Sequence, residues 1–280
     1  MLYLDGRMVD PTQARIDPRD RGFLLGDGLF ETMRAERGRV PLLDRHLGRL
    51  EAGAATLGVP LPAPRAALAA ACLEVLQANR LADKDAALRI TVSRGPGPRG
   101  LAPPDEPAPT LLIAAAAMAD VAPAPARAVI SGIRRNEQSP LSRIKSLSYL
   151  DAVLALREAR ARGADEALLC NTAGRLACVC AANLFLVRDG ALLTPDLGEG
   201  VLPGITRGLI LELAGELGLI AEETAIPPSA LESAEEAFLT NSLIGIRPLV
   251  AVDGDPVGKG EIGPLTRHLS ERYREHLLRA

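Results

Sequence analysis

The sequence predicts a two-domain protein of mixed α/β (α+β) class. Three observations carry this. The chain has 280 residues, and at roughly 100–200 residues per domain that favours two domains or one large one. Short alternating apolar runs and runs of helical period occur in both halves, without a strict strand–helix–strand alternation. Finally, Asp120-Val-Ala-Pro-Ala-Pro-Ala126 sets two prolines in a small-residue stretch, which favours an extended connection. The expected division is a small N-terminal domain over 1–119, a linker at 120–126 and a larger C-terminal domain over 127–280.

Residues 1–10 read as a hairpin turning at Asp5-Gly6. A second hairpin is expected at 28–43, where Leu29 to Ala35 and Val40 to Leu43 flank Glu36-Arg-Gly-Arg39. Leu43, Leu47, Leu50 and Ala54 then fall at helical spacing and stop near Gly58 and Pro60, and Ala66 to Leu81 is a second helix. Strands at 86–94 and 110–118 complete the first half. The second half reads as a strand (128–133), a helix near 148–162 and three strands up to 194, with Asp189-Gly190 as a turn. A helix near 205–217, strands near 220–225, 236–240 and 248–252, and a helix from about 261 follow.

Composition excludes several partners. Three Tyr, four Phe and no Trp cannot furnish a base-stacking surface, and a net charge of −3 gives no basic footprint, so nucleic acid is not expected. Cysteines at 72, 170, 178 and 180 lack zinc spacing and are too few for a disulfide scaffold. His46, His268 and His276 are scattered, so no metal centre is expected. The longest apolar run, Leu111 to Ala119, is too short for a membrane helix. Asp5 and Arg7 interrupt the N-terminus before a signal-peptide core forms. The expectation is a cytoplasmic protein with reduced thiols.

Gly95, Gly97 and Gly100 match a GxGxxG pattern with Asp120 further on. A dinucleotide site needs a helix opening there, and Pro96, Pro98, Pro103, Pro104, Pro107 and Pro109 forbid one. The segment reads instead as a mobile flap whose Arg94 and Arg99 are available for a carboxylate. Cys178 and Cys180 share one face of a strand and read as small buried hydrophobes.

Lysine is rare: only Lys84, Lys145 and Lys259 occur. Lys145 is embedded in Leu141-Ser-Arg-Ile-Lys145-Ser-Leu-Ser-Tyr149-Leu, and partial burial would turn its amine into a nucleophile toward carbonyls. On its own it also reads as a structural lysine. Leu202-Pro-Gly204-Ile205-Thr206-Arg is a turn entering a helix, whose amides and hydroxyl suit a phosphate monoester. Leu239-Thr-Asn241-Ser242 is a strand end rich in small donors. Each alone is an ordinary cap or turn. Together with a reactive lysine they outline a site for an aldehyde that carries a phosphate.

With these pieces the chain resembles the fold-type IV pyridoxal-phosphate enzymes (class IV aminotransferases, D-amino-acid aminotransferase-like). The resemblance runs through Asp20-Arg-Gly-Phe-Leu-Leu-Gly-Asp-Gly-Leu-Phe30-Glu-Thr32, His46-Leu-Gly-Arg49-Leu, Ile144-Lys145-Ser-Leu, Ala181-Ala-Asn183-Leu-Phe185, Leu202-Pro-Gly-Ile-Thr-Arg207 and Phe238-Leu-Thr-Asn-Ser242 with Arg247-Pro248. It implies bound pyridoxal 5'-phosphate, with Lys145 forming the Schiff base and moving the proton. Arg49 would pair with the cofactor phosphate, helped by Gly204, Ile205, Thr206, Asn241 and Ser242. Leu202 would pack on the ring face and Tyr149 would contact the ring hydroxyl. Phe23, Phe30, Tyr149, Phe185 and Phe238 lie in or beside these segments, with Phe30, Arg94 and Arg99 on the substrate side.

One position departs from the family. Five residues before Asn183, where members carry a Glu that keeps the pyridine nitrogen protonated, stands Cys178. A thiol is a weak partner there, so a weaker electron sink is expected. The loop Ser93 to Gly100 and the segment Asn241 to Pro248 look most like aminodeoxychorismate lyases, although Leu101 replaces their usual aromatic. This implies conversion of 4-amino-4-deoxychorismate to 4-aminobenzoate and pyruvate, a step of folate biosynthesis. The alternatives are an aminotransferase for branched-chain or D-amino acids, and a cofactor-binding protein with little turnover. The resemblance also implies a homodimer acting on a small amino substrate.

Overall fold

The computed structural model describes residues 1–119 and 123–279. The chain divides into two compact units, Met1–Val121 with Ile144–Ser148, and Ala122–Arg143 with Tyr149–Ala280. Residues 120–122, which open the expected linker, lie outside the described residues, and Ala126 already belongs to a strand. The lysine segment, expected in the C-terminal domain, belongs by its contacts to the first unit.

The first unit contains β1 (Leu2–Leu4), β2 (Arg7–Val9), α1 (Arg21–Leu25), β3 (Gly28–Ala35), α2 (Leu43–Leu57), α3 (Arg65–Ala78), β4 (Ala86–Ser93) and β5 (Thr110–Ala117). Its antiparallel sheet runs β2-β1-β5-β4-β3. Leu47, Leu50 and Ala54 of α2 and Leu68, Cys72, Val75 and Leu76 of α3 are buried in one core with Met33, Leu88 and Ile113 of the sheet. The second expected hairpin does not form. β3 pairs with β4 from Gly28↔Ser93 to Ala35↔Ala86, while Glu36 and Arg39 close only an isolated bridge. Pro41 has no N–H to give a ladder, and Leu42, at φ 61°, turns the chain into α2.

The second unit contains β6 (Ala126–Ile130), α4 (Leu150–Ala161), β7 (Glu166–Cys170), β8 (Leu176–Val179), β9 (Asn183–Arg188), β10 (Ala191–Pro195), α5 (Ile205–Glu216), β11 (Ala221–Thr224), β12 (Glu236–Asn241), β13 (Gly245–Val252), β14 (Asp255–Pro256) and α6 (Pro264–Arg279). Its sheet runs β11-β10-β9-β12-β13-β6-β7-β8, with β14 paired to β13. The sheet curls until Leu176 of β8 donates its N–H to Ile226, just past β11, at 2.8 Å. A core of Leu168, Leu176, Leu184, Leu186, Leu239 and Leu249 lies on one side. Ala155 and Ala159 of α4 pack with Leu169, Ala177, Cys178 and Val201 in a second cluster. Phe185 and Phe238 face one another in register and stack at 5.0 Å between centroids, fully buried. These two rings fill core. Phe23, by contrast, is 79% exposed, so the expected gathering of rings is retained in the first unit by Phe30 alone.

Candidate active site

In the first unit the lysine segment lies along the start of β3. Phe30 donates its N–H to the Lys145 carbonyl at 2.9 Å, and Leu147 donates to the Gly28 carbonyl at 3.0 Å. Gly28 is required there: a Cβ would run into the Val92 carbonyl on one side and meet Leu147 Cδ1 at 2.8 Å on the other. The half-buried Lys145 side chain places Nζ 4.3 Å from the centre of the Phe30 ring. The Arg89 guanidinium also approaches that ring, at 3.8 Å. An aromatic face attracts such cations and fixes where the amine stands.

Glu31, the next residue of β3, is fully buried. His46 and Arg49, three residues apart on α2, share the helix face turned to β3. Arg49 grips the Glu31 carboxylate through Nε at 2.8 Å and Nη2 at 2.7 Å, and His46 Nδ1 lies 2.7 Å from Oε2. Burial raises the Glu31 pKa, but hydrogen bonds from Arg49 and His46 outweigh it and hold the carboxyl below its ordinary value. Burial pushes the His46 pKa down, with the nearby Arg49 and Lys145 charges adding to this against the pull of Glu31. A neutral His46 therefore donates from Nδ1 to an ionised Glu31. Sequence reading passed over this trio as a set, although an acid inside the apolar run Leu29–Met33 was a signal that buried partners exist.

Arg94 is not available to a ligand as expected. It is 8% exposed and clasps Asp27 through Nε at 2.8 Å and Nη2 at 3.0 Å, while also bonding the Leu57 and Gly58 carbonyls. Burial raises the Asp27 pKa, and the Arg94 and Arg21 hydrogen bonds bring it below its usual value. Arg99 is exposed. The loop bearing it is tethered rather than free, since Arg21 donates to the Gly100, Leu101 and Ala102 carbonyls. Its glycines serve the loop: at Gly95, with φ 81°, a Cβ would run into the Ala108 carbonyl.

The turn expected to hold an anion lies in the second unit. Asn183 donates Nδ2 to the Leu202 carbonyl at 3.0 Å, which fixes the turn entering α5. A Cβ at Gly204 would collide with Asn183 Oδ1, so the turn needs glycine. Ile205 opens α5, and no side chain caps it. Arg207 anchors this end by donating to the Pro195 carbonyl at 2.9 Å and to Glu223 at 2.6 Å. Thr206 is 2% exposed, and its hydroxyl has no hydrogen-bond partner among the described residues; the hydroxyl of fully buried Thr240 is in the same condition. Buried hydroxyls are rarely left so without a ligand to receive. Thr240, unlike Thr206, was not singled out in the sequence.

Asn241 donates Nδ2 to the distant Ala181 carbonyl and accepts at Oδ1 from Leu243 and Ile244 of its own turn. These bonds shape the strand end at Ser242. Tyr149 is half-buried at the start of α4. Burial pushes the Cys178 thiol pKa up, against a smaller opposing pull from Arg135, so the group is neutral at pH 7. Cys180 is pushed up to about 11 by burial.

Comparisons with known proteins agree on the family. The sequence profile of the family described as amino-transferase class IV matches residues 28–252. A Methanocaldococcus jannaschii protein provisionally named a branched-chain-amino-acid aminotransferase is 34% identical, over 98% of this chain and 95% of its own. The aminodeoxychorismate lyase of Bacillus subtilis is 30% identical, over 99% of this chain and 94% of that protein. The branched-chain aminotransferase of the thermophilic archaeon Thermoproteus uzoniensis, solved with norvaline, superposes with a TM-score of 0.92 at 31% identity, over 99% of this chain and 94% of that one.

Proposed function

Because the chain belongs to the class IV aminotransferase family and has the two-domain α/β architecture of fold-type IV pyridoxal-phosphate enzymes, we propose that it is a pyridoxal-phosphate-dependent aminotransferase taking a branched-chain or D-amino acid as donor. The observation that carries this reading is the Lys145 amine held against Phe30, next along the strand from the Glu31–Arg49 pair. The full-length likeness to proteins named as aminotransferases supports it over the lyase expected from sequence.

The residues present fit the cofactor. A dianionic phosphate suits the uncapped start of α5, where the Ile205 and Thr206 amides and the unpartnered Thr206 hydroxyl offer donors. By the family resemblance Arg49 would be its cationic partner, and within the first unit Glu31 fixes the plane of that guanidinium. Thr240 and Ser242 complete the donor set, with Gly204 and Asn241 shaping the backbone around it. Leu202, its carbonyl held by Asn183, would pack on the ring, and Tyr149 would contact the ring hydroxyl. Bound pyridoxal phosphate supplies an electron-accepting ring next to the carbon that loses its proton. Lys145 would hold the cofactor and move that proton. Phe30 would line the substrate side and Arg99 would take the substrate carboxylate, while Arg94 holds Asp27, the partner of Arg21.

A second reading, the aminodeoxychorismate lyase, is favoured by one observation: the neutral Cys178 thiol stands where a ring-nitrogen carboxylate is expected. A reaction ending in an aromatic product tolerates a weaker electron sink. We also propose a cytoplasmic homodimer. Among the described residues no helix is long and apolar enough to cross a membrane. Phe23, Leu24 and Leu25 stand 79%, 58% and 46% exposed beside a cavity of about 460 Å³ lined by Ile16, Leu112 and Leu147, an apolar surface that a second copy would cover.

The deciding experiment incubates purified protein with leucine or D-alanine plus a keto acid, and separately with aminodeoxychorismate alone. Amino transfer is expected. Formation of 4-aminobenzoate without a keto acid would replace this reading with the lyase, and failure to bind pyridoxal phosphate would remove both.

A further inference from the structure

Arg21 is 4% exposed, and its guanidinium is enclosed by the chain itself. Nε reaches Asp27 Oδ2 at 2.9 Å. Nη1 donates to the Gly100 and Ala102 carbonyls at 3.1 Å each, and Nη2 donates to the Leu101 carbonyl between them at 2.9 Å. Three consecutive carbonyls thus converge on one cation. The same loop is pinned at its entry, where Arg21 donates its N–H to Gly95 at 2.9 Å and Asp20 bridges Pro96. Gly97 leaves the space that the Arg21 stem needs, because a Cβ there would stand 2.9 Å from Cδ and 3.4 Å from Cγ. Asp27 balances the buried charge and is itself held by Arg94.

A loop with this many prolines has few backbone amides to bond itself, so an outside donor set must fix its shape. A planar fork suits that task, since it can meet several carbonyls at once while keeping one edge on a carboxylate. The residue immediately before the three captured carbonyls is Arg99, and the side chains of Arg99 and Leu101 are left pointing to solvent.

We infer that Arg21 is a positioning residue that fixes the 95–109 loop and thereby sets affinity for the substrate carboxylate at Arg99. The inference rests on the proposed aminotransferase reading for its substrate half and on the loop geometry alone for its structural half. Lysine at 21 keeps the charge next to Asp27 but cannot span three carbonyls, and alanine at 97 crowds the Arg21 stem without touching any charge.

The test compares the holoenzyme with Arg21→Lys and with Gly97→Ala, which carries the experiment if the first variant does not fold. Trypsin should release the fragment ending at Arg99 at least about tenfold faster from both variants. The KM for the amino donor should rise about tenfold with kcat held within about threefold and the absorbance of the bound cofactor unchanged. Unchanged cleavage at Arg99 would overturn the clamp. Faster cleavage with an unaltered KM would overturn its role in substrate affinity. Parent protein that binds no cofactor would remove the aminotransferase reading and the substrate half with it, while the cleavage rates would still decide the clamp.

Discussion

His46 turns Nδ1 toward Glu31 Oε2 at 2.7 Å in the interior of the first unit, so a neutral imidazole supports a buried carboxylate. Because the folded pKa of His46 lies below its ordinary 6.5, the unfolded chain takes up this proton first as the pH falls. Stability should be complete above pH 6.5 and decline below it, by up to about 1.4 kcal/mol per pH unit. Glu31, held below its ordinary 4.5, adds its own loss only in stronger acid. Urea melts at pH 7.5, 6.5 and 5.5 read this directly, and His46→Asn, which keeps a donor toward Glu31, should flatten the upper part of the curve. A flat profile in the parent would refute the assignment.

Thr206 should matter to the cofactor and little to the fold. Its hydroxyl bonds nothing among the described residues, so Thr206→Val should cost no internal hydrogen bond. A hydrogen bond to a charged phosphate is worth about 1.5–3 kcal/mol, so pyridoxal-phosphate affinity should fall at least about tenfold. Thr206→Ser should retain it. Fluorescence titration of the apoprotein measures the change, alongside melting curves that should coincide.

Cys178→Glu should speed proton removal about tenfold or more, the difference between a thiol and a carboxylate as a ring-nitrogen partner. The Arg135 charge, which pulls against burial at this position, would help to hold the new carboxylate ionised. Stopped-flow measurement of the first half-reaction and the spectrum of the bound cofactor are the readouts. Identical rates and an identical spectrum would show that position 178 does not act on the ring nitrogen.

Phe23→Arg should leave a folded monomer, because it places charge in the exposed apolar stretch Phe23-Leu24-Leu25 without disturbing a buried contact. Light scattering on the parent should give twice the chain mass of 29.5 kDa, and on the variant the chain mass itself. A monomeric parent would end the dimer proposal.

The sequence made most elements legible because their periodicity and stops are local. Gly58, at φ 61°, ends α2 where a left-handed cap was needed, and Asp5-Gly6 and Asp189-Gly190 both turn with positive φ. What misled was pairing at a distance. Val40 to Leu43 has the composition of a strand, yet β3 had a better partner more than forty residues on, in β4. The roles of Arg94 and Arg99 could not be separated by residue type, since only the position of Asp27 decides that one is buried and the other exposed. In the same way Glu31, His46 and Arg49 became a unit only when α2 was laid on β3. Nor does the sequence show that Asn241 ties its amide to the Ala181 carbonyl and accepts from Leu243 and Ile244 in its own turn.

The short stretch Ile144–Ser148, which returns to lie along β3 after the chain has already entered the second unit, makes the first unit discontinuous in sequence. A fragment cut after residue 119 would lack one strip of its own wall, and the missing strip is the one that carries Lys145. The Lys145 segment and the N-terminal scaffold are therefore separable by a single backbone break yet structurally one piece. A synthetic peptide spanning that strip is the natural candidate to restore such a fragment in trans.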